Sequence, residues 1–375
     1  MGQGSYGCVF TPAVKCENET TRREGVSKVV FGTDVYEKEM KANDKIKKVD
    51  PKGVFTNRLL HSCEVDSDEL RAEQGFSKCK PRKRNPFYNL LYEHQGVDLA
   101  AFANTPFSMA DRTLQTDILE LCKGVQKLVA HEMVHYDIKH KNILKTDTKL
   151  VMIDFGMLMD MKDVFADKEK NLAQFTYPFY PPELKLFWAF ALSVLKSFDV
   201  KAYLKKGKGS LHNLKRRLRE HLRGDTAWIR NYDYMLSKLS KLKLTKAVMK
   251  DQVSEFVDRV VSQIAETIHT KDDFTMADLR ELFRPFATKL DIFSLGTTLV
   301  YMYMKGNTDD LTATQNTELV RILLKMVHMN PYERYDAKAL VKEYSAFVRT
   351  LPKPSVEKVQ EVVSIRNEPI VPTPM

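Results

Sequence analysis

Apolar positions along this chain change their spacing several times, and each change marks an element. Two short runs near the amino terminus, GCVF at 7–10 and VSKVVF at 26–31, are bounded by turn and polar residues and predict strands. The spacing then turns helical: Val35, Glu39, Ala42, Ile46 and Val49 share one face, and Asp50-Pro51 ends the run. A basic, turn-rich stretch from Lys78 to Pro86 leads into NLLYE at 89–93, which predicts a short buried strand. Ile118, Leu121, Cys122, Val125, Leu128 and Val129 predict a long amphipathic helix. Two apolar runs, Asn142 to Leu144 and Leu150 to Ile153, flank a polar turn and predict a hairpin. Leucines 211, 214, 218 and 222 suggest a basic helix, and Val253, Phe256, Val257, Val260, Val261 and Ile264 another. Dense helical patterning resumes at Leu290 and ends near Val348, before a Pro-containing tail over 351–375.

The 375 residues give a prior of about two to three domains. Apolar content of 43% and charged content of 29% suit a globular chain and exclude a mainly disordered, collagen-like or disulfide-stapled one. The net charge of +10 is unevenly spread. Positions 185–250 hold 17 Lys or Arg against four acids, a net of +13, which leaves the rest at 10 − 13 = −3. Such a run reads as a solvated face or as a docking surface for an anionic partner, nucleic acid included. Its few aromatics argue against stacking on single strands.

The longest apolar stretch, Leu186 to Leu195, has ten residues where a spanning helix needs roughly 20. No signal-peptide pattern precedes it, and Tyr6 breaks a myristoylation start. The cysteines at 8, 16, 63, 79 and 122 are odd in number and form no CxxC pair. His61 and Cys63 make only half of a zinc-ligand pair. The expectation is therefore scattered structural thiols in a reducing compartment, and a soluble cytoplasmic chain.

Candidate chemistry begins with Gly2-Gln3-Gly4-Ser5-Tyr6-Gly7-Cys8-Val9. Residues without Cβ let a backbone close over phosphate oxygens, although the same segment also reads as a plain turn between strands. The loop His135–Asn142 (HYDIKHKN) carries a carboxylate, a lysine two residues on and an amide five residues on. Asp154-Phe155-Gly156 follows twelve residues later, directly after an apolar strand. Phosphoryl transfer needs a carboxylate to orient a hydroxyl, a cation near the migrating group and oxygen ligands for magnesium.

With these motifs in this order, the chain resembles the eukaryotic protein kinases from Gly2 to about Val348, apart from one long insertion. The resemblance implies an α+β, bilobal fold. A small β-rich lobe and hinge would span 1–96, its first strand missing because the chain opens on the glycine loop. A large helical lobe would span 97–350, with a basic helical insertion at 185–288.

It further implies that Gly2, Gly4 and Gly7 cover ATP, and that Lys28 in Val26-Ser27-Lys28-Val29 holds its α- and β-phosphates. Asp137 becomes the base, Lys139 steadies the γ-phosphoryl group, and Asn142 and Asp154 ligate Mg2+. Tyr92 becomes the gatekeeper, the backbone of Glu93 to Gln95 meets adenine, Asp98 lies near the ribose, and Val9, Val26 and Leu144 sandwich the base. A strand followed by a linker is the alternative reading of that stretch, and the flanking motifs favour the hinge.

Glu39, on the core-facing side of its helix, is preferred over Glu37 as the partner of Lys28. Tyr180-Pro181-Pro182-Glu183 matches the APE signature, Asp291 anchors the catalytic loop, and Arg334 pairs with Glu183. Lys139 and Thr176 match the serine/threonine type.

Three departures stand out besides the missing strand. Tyr136 replaces the arginine that normally receives an activation-loop phosphate, and no Ser, Thr or Tyr lies between Met157 and Phe175. Asp160, Asp163, Asp167 and Glu169 would then supply fixed charge instead of a phosphate. About 107 residues separate Glu183 from Asp291, where the family has a short connection. The compact amino-terminal lobe and its cysteines resemble divergent kinases of large cytoplasmic DNA viruses, which implies host cytoplasm or virion as the location. The expected function is an ATP-dependent serine/threonine protein kinase. The alternatives are a pseudokinase whose basic insertion recruits a partner, and a small-molecule or lipid kinase, which the Pro-Pro-Glu, Ser294-Leu295-Gly296 and Arg334 signals oppose.

Overall fold

A computed structural model describes residues 2–3 (backbone), 7–73, 76, 79, 86–166, 180–192, 212–213, 215–216, 245–271 and 274–353. Gly4, Asp167, Glu169, Thr176, the leucines at 211, 214, 218 and 222, most of the basic stretch and the tail beyond 353 lie outside the described residues. The architecture is α+β: an amino-terminal β-sheet followed by a helical region, as in the protein kinase fold.

The sheet holds five antiparallel strands: β1 (Gly2–Gln3), β2 (Gly7–Phe10), β3 (Val26–Phe31), β4 (Leu59–Val65) and β5 (Phe87–Tyr92), in the order β1-β2-β3-β5-β4. A first strand is thus present at Gly2–Gln3, which corrects the sequence expectation. Two residues suffice to pair Gly2 with Val9 and Gln3 with Cys8. Gly7 is required by close approach, since a Cβ there would meet the Val29 carbonyl oxygen across the ladder. Between β3 and β4 runs α1 (Thr33–Val49), which buries Glu39, Ala42, Asn43, Ile46 and Val49. Asp50 closes it and turns its carboxylate onto the N–H groups of Val54, Phe55 and Thr56. A short helix α2 (Ser67–Ala72), N-capped by Asp66, follows β4.

The cysteines overturn a second expectation. Cys8 is bonded to Cys79 and Cys16 to Cys63, while Cys122 stays free and buried. The partners lie 71 and 47 residues apart, so no local spacing betrays them. Each bond joins a strand residue, Cys8 of β2 or Cys63 of β4, to a cysteine outside the strands, so the fold alone brings them together, and the step from lone thiols to a reducing compartment loses its basis.

Past β5 the chain forms β6 (Val97–Asp98), α3 (Leu99–Phe102), α4 (Arg112–Ala130) and β7 (Met133–Val134). The expected hairpin is β8 (Ile143–Lys145) against β9 (Leu150–Met152), with β6 on its other edge. After β10 (Met159–Asp160), which pairs with β7, come α5 (Pro182–Leu192), α6 (Lys246–Lys271) and α7 (Met276–Phe283). The helices α8 (Leu290–Lys305), α9 (Ala313–Met326) and α10 (Ala337–Thr350) complete the described fold. No described helix is long and apolar enough to cross a membrane.

One core joins Ala42, Ile46 and Val49 of α1 to α4, β9, α8, α9 and α10, so α1 leans on the helical region as well as on the sheet. A second is aromatic, built from Phe165, Phe187, Phe190, Phe256, Phe283 and Phe286. Phe256, Val260, Val261, Ile264 and Ile268 of α6 are fully buried in it. The carboxyl-terminal part of the expected insertion is therefore integral to the core, and the helix that its apolar spacing suggested is α6.

Candidate active site

Lys28 projects from the middle strand β3, opposite Val9 of β2 and Leu90 of β5. Its ammonium bonds Glu39 Oε1 at 2.8 Å and Asp154 Oδ1 at 2.9 Å. Burial pulls the Lys28 pKa down, but Asp154 and Glu39 outweigh it and hold the ammonium charged well above its ordinary range. Glu39 is buried and Glu37 is exposed. Burial likewise pushes Asp154 up, and Lys28 overcomes this to keep the carboxyl below its ordinary value. Asp154 takes the left-handed conformation, φ 62°, directly after β9. At Gly156 a Cβ would stand 3.0 Å from Glu39 Oε1, so this glycine lets the helix carboxylate approach.

The second cluster sits on the loop between β7 and β8. Lys139 Nζ bonds both Asp137 oxygens, at 3.1 and 2.8 Å. Asn142 Nδ2 donates to Asp137 Oδ2 at 2.8 Å and to the Asp137 carbonyl at 2.9 Å. The loop is anchored from beneath by Asp291 of α8, whose carboxylate accepts from the His135 N–H at 2.7 Å and the Tyr136 N–H at 3.0 Å. Burial raises the Asp291 pKa, while His135 and the two N–H groups work against it. Tyr136, at φ 68°, is buried with its ring 5.2 Å from that of Tyr180. An apolar contact thus occupies the position where the resemblance implied a phosphate-binding arginine.

Glu183 and Arg334 form a bidentate pair at 2.5 and 3.1 Å, with both side chains fully buried. Arg334 also donates to the His328 and Lys289 carbonyls, which leaves its charge well satisfied.

Tyr92, Glu93 and Gln95 follow β5. The Glu93 N–H bonds the Arg58 carbonyl, and Asn57 takes both backbone groups of His94. Asp98 caps α3 by accepting from the Ala101 N–H at 2.8 Å. Val9, Val26 and Leu144 are half-buried, on β2, β3 and β8. Gly2 is placed by its backbone in β1.

Residues 83–194 match the family profile of protein tyrosine and serine/threonine kinases. The match covers under a third of the chain. The matched segment holds Asp137, Lys139, Asn142, Asp154 and Glu183, whereas Lys28, Glu39, Asp291 and Arg334 meet it only through the fold. The chain is also 26% identical over 178 residues to the mitogen-activated protein kinase MPS1 of Pyricularia oryzae and to the mitogen-activated protein kinase spm1 of Cytospora mali. That alignment takes in 47% of this chain and 38% of each relative, so under two fifths of the curated kinases' length is matched.

Two features near these residues escaped the sequence reading. Asn43 donates to the Tyr92 hydroxyl at 3.0 Å and to the Glu39 carbonyl at 2.9 Å, linking the helix that carries Glu39 to β5. Burial pushes the Tyr92 phenol up to about 12, so it stays neutral. Asn43 lies four residues after Glu39, and helical period alone puts both on one face. Lys45 bonds Asp160 Oδ1 at 2.6 Å, giving one of the expected acidic charges a partner on α1.

Proposed function

We propose that this chain is an ATP-dependent serine/threonine protein kinase. The reading rests on one observation: the Asp137 carboxylate is gripped by Lys139 and Asn142, while Lys28 joins Glu39 to Asp154. A binding module alone has no physical need for that set. Asp137 would accept or orient the proton of a substrate hydroxyl as the oxygen attacks the γ-phosphoryl group in line. Lys139, 2.8 Å from Asp137, would neutralise charge developing on the transferred group. Lys28 would hold the α- and β-phosphates, oriented by Glu39.

The donor set suits magnesium, a hard cation that prefers oxygen. The nitrogen of the Asn142 amide is spent on Asp137, so its oxygen is the atom left to ligate. Asp154 keeps Oδ2 beyond its bond to Lys28, and its side chain is 41% exposed. The ion would bridge phosphate oxygens and offset their charge.

Glu93 C=O and Gln95 N–H, flanking the tied backbone of His94, would take adenine between Val9, Val26 and Leu144, with the ribose near Asp98. Gly2, Gly4 and Gly7 would cover the phosphates. Thr176 and Lys139 support a Ser or Thr acceptor, and the basic 185–250 stretch an anionic partner.

The test is phosphate transfer from labelled ATP with Mg2+ to a generic basic protein, beside Asp137→Asn. Transfer that disappears in the variant supports the kinase. Nucleotide binding with no transfer by either protein points instead to a pseudokinase.

A further inference from the structure

The Cys16–Cys63 bond lies at the sheet's edge, apart from the candidate active site, and other potential ligands surround it. A turn and a strand meet there. His61 and Cys63 are two apart on β4, so the pleat sends them to one face. Cys16 and Glu19 are three apart, closed by a bond from the Glu19 N–H to the Cys16 carbonyl, with Asn18 in the left-handed conformation at φ 64°. A bond of 2.9 Å from the Glu17 N–H to the Glu64 carbonyl ties the turn to the strand.

Ligand atoms of Cys16, His61 and Cys63 all lie within 4.8 Å of one another. Glu19 lies outside that 4.8 Å group but close enough for the His61 charge to act on its carboxylate. Its Oε1 is held by Arg23, while Oε2 is shut off from solvent with no hydrogen-bond partner. A buried carboxylate oxygen without a donor is costly, and a cation would satisfy it.

We propose that Cys16, Glu19, His61 and Cys63 form a zinc-class metal site that opens when the Cys16–Cys63 bond is reduced. Two soft thiolates, an imidazole and a carboxylate match the borderline-soft, redox-inert character of Zn2+. Bonds of roughly 2.0–2.3 Å put tetrahedral ligand atoms about 3.5 Å apart, so the 4.8 Å group closes by small side-chain rotations. A dithiol reductant supplies two electrons and two protons to break the S–S bond and becomes a disulfide itself. The two thiols then release their protons to solvent as two metal–thiolate bonds form, with no change in the metal's oxidation state. Disulfide and metal are mutually exclusive, and each fastens the same turn to the same strand.

The test uses the full chain, stripped of metal, in oxidised and dithiol-reduced forms, titrated with Zn2+ alone and with Co2+ as a coloured substitute. The reduced chain binds one equivalent, its Co2+ form shows a thiolate charge-transfer band, and the oxidised chain binds none. His61→Ala, at a half-exposed position that spares the fold, weakens binding at least about tenfold. Glu19→Gln weakens it less. The double variant Cys8→Ser, Cys79→Ser keeps the site, which separates it from thiols in general. A reduced chain that takes up no metal overturns the proposal. So does metal uptake unaffected by His61→Ala.

Discussion

The amino-terminal sheet and the helical region keep their shape by different means. The described apolar cluster under the sheet is small: Cys8, Phe10, Val14, Val29, Val65, Leu70, Cys79 and Phe87. Covalent and buried polar links supplement it. Two disulfides cross it, the Ser27 hydroxyl accepts from the Val14 N–H at 2.8 Å, and Asn89 donates to the Val14 carbonyl at 3.0 Å. The helical region instead buries whole faces of α4, α6 and α8 and the aromatic cluster around Phe283. Small layers bury too little apolar surface to hold themselves, whereas stacked helices do. The candidate active site draws from both: Lys28 and Glu39 from the sheet side, Asp137, Asn142 and Asp154 from the helical side.

The comparison can be broken at its seam first. On the kinase reading, Asp137→Asn lowers the transfer rate by about 10³-fold, with nucleotide affinity within a few-fold of the parent. Single-turnover kinetics and nucleotide titration check both halves. If the helical region depends on few polar contacts but depends on them heavily, Glu183→Ala strands a buried guanidinium and costs about 3–5 kcal/mol. Denaturant unfolding measures it, and a loss under 1 kcal/mol would show that the pair is dispensable.

For the sheet, removing Cys8–Cys79 through paired serines costs about 2–5 kcal/mol. Hydrogen exchange is expected to quicken across β2 and β3 while α4 and α8 stay protected. Uniform loss of protection would erase the distinction between the regions.

The smallest effect concerns Asp117 of α4. Burial raises its pKa from 3.8 to about 6, against the pull of Lys145 at 3.6 Å. Between those values the folded chain keeps a proton that the unfolded chain has released, so stability falls as pH rises through the window. Asp117→Asn removes that slope, worth at most about 3 kcal/mol. Melting curves at pH 4 and pH 6.5 should diverge for the parent and converge for the variant.

Much of this was legible in the residues. The 3.6-residue period of α1 put Glu39 on the inner face and Glu37 outside, and the structure bonds Glu39 to Lys28. The hairpin of β8 and β9 followed from two apolar runs and a polar turn. Strand β4 was not read: LLHSCEV mixes exposed, half-buried and buried positions, and its ladder to β5 slips between Leu59 and His61. Alternation was too broken there to register.

The sequence alone determined the local elements and the chemical types within reach of one another on a helix face, a strand or a loop. Covalent spacing controls those directly. Tertiary structure decided which distant residues meet: Cys8 with Cys79, Cys16 with Cys63, Asn43 with Tyr92. Such pairs depend on strand order and helix packing, which arise from burial summed over the whole chain and leave no period in the sequence.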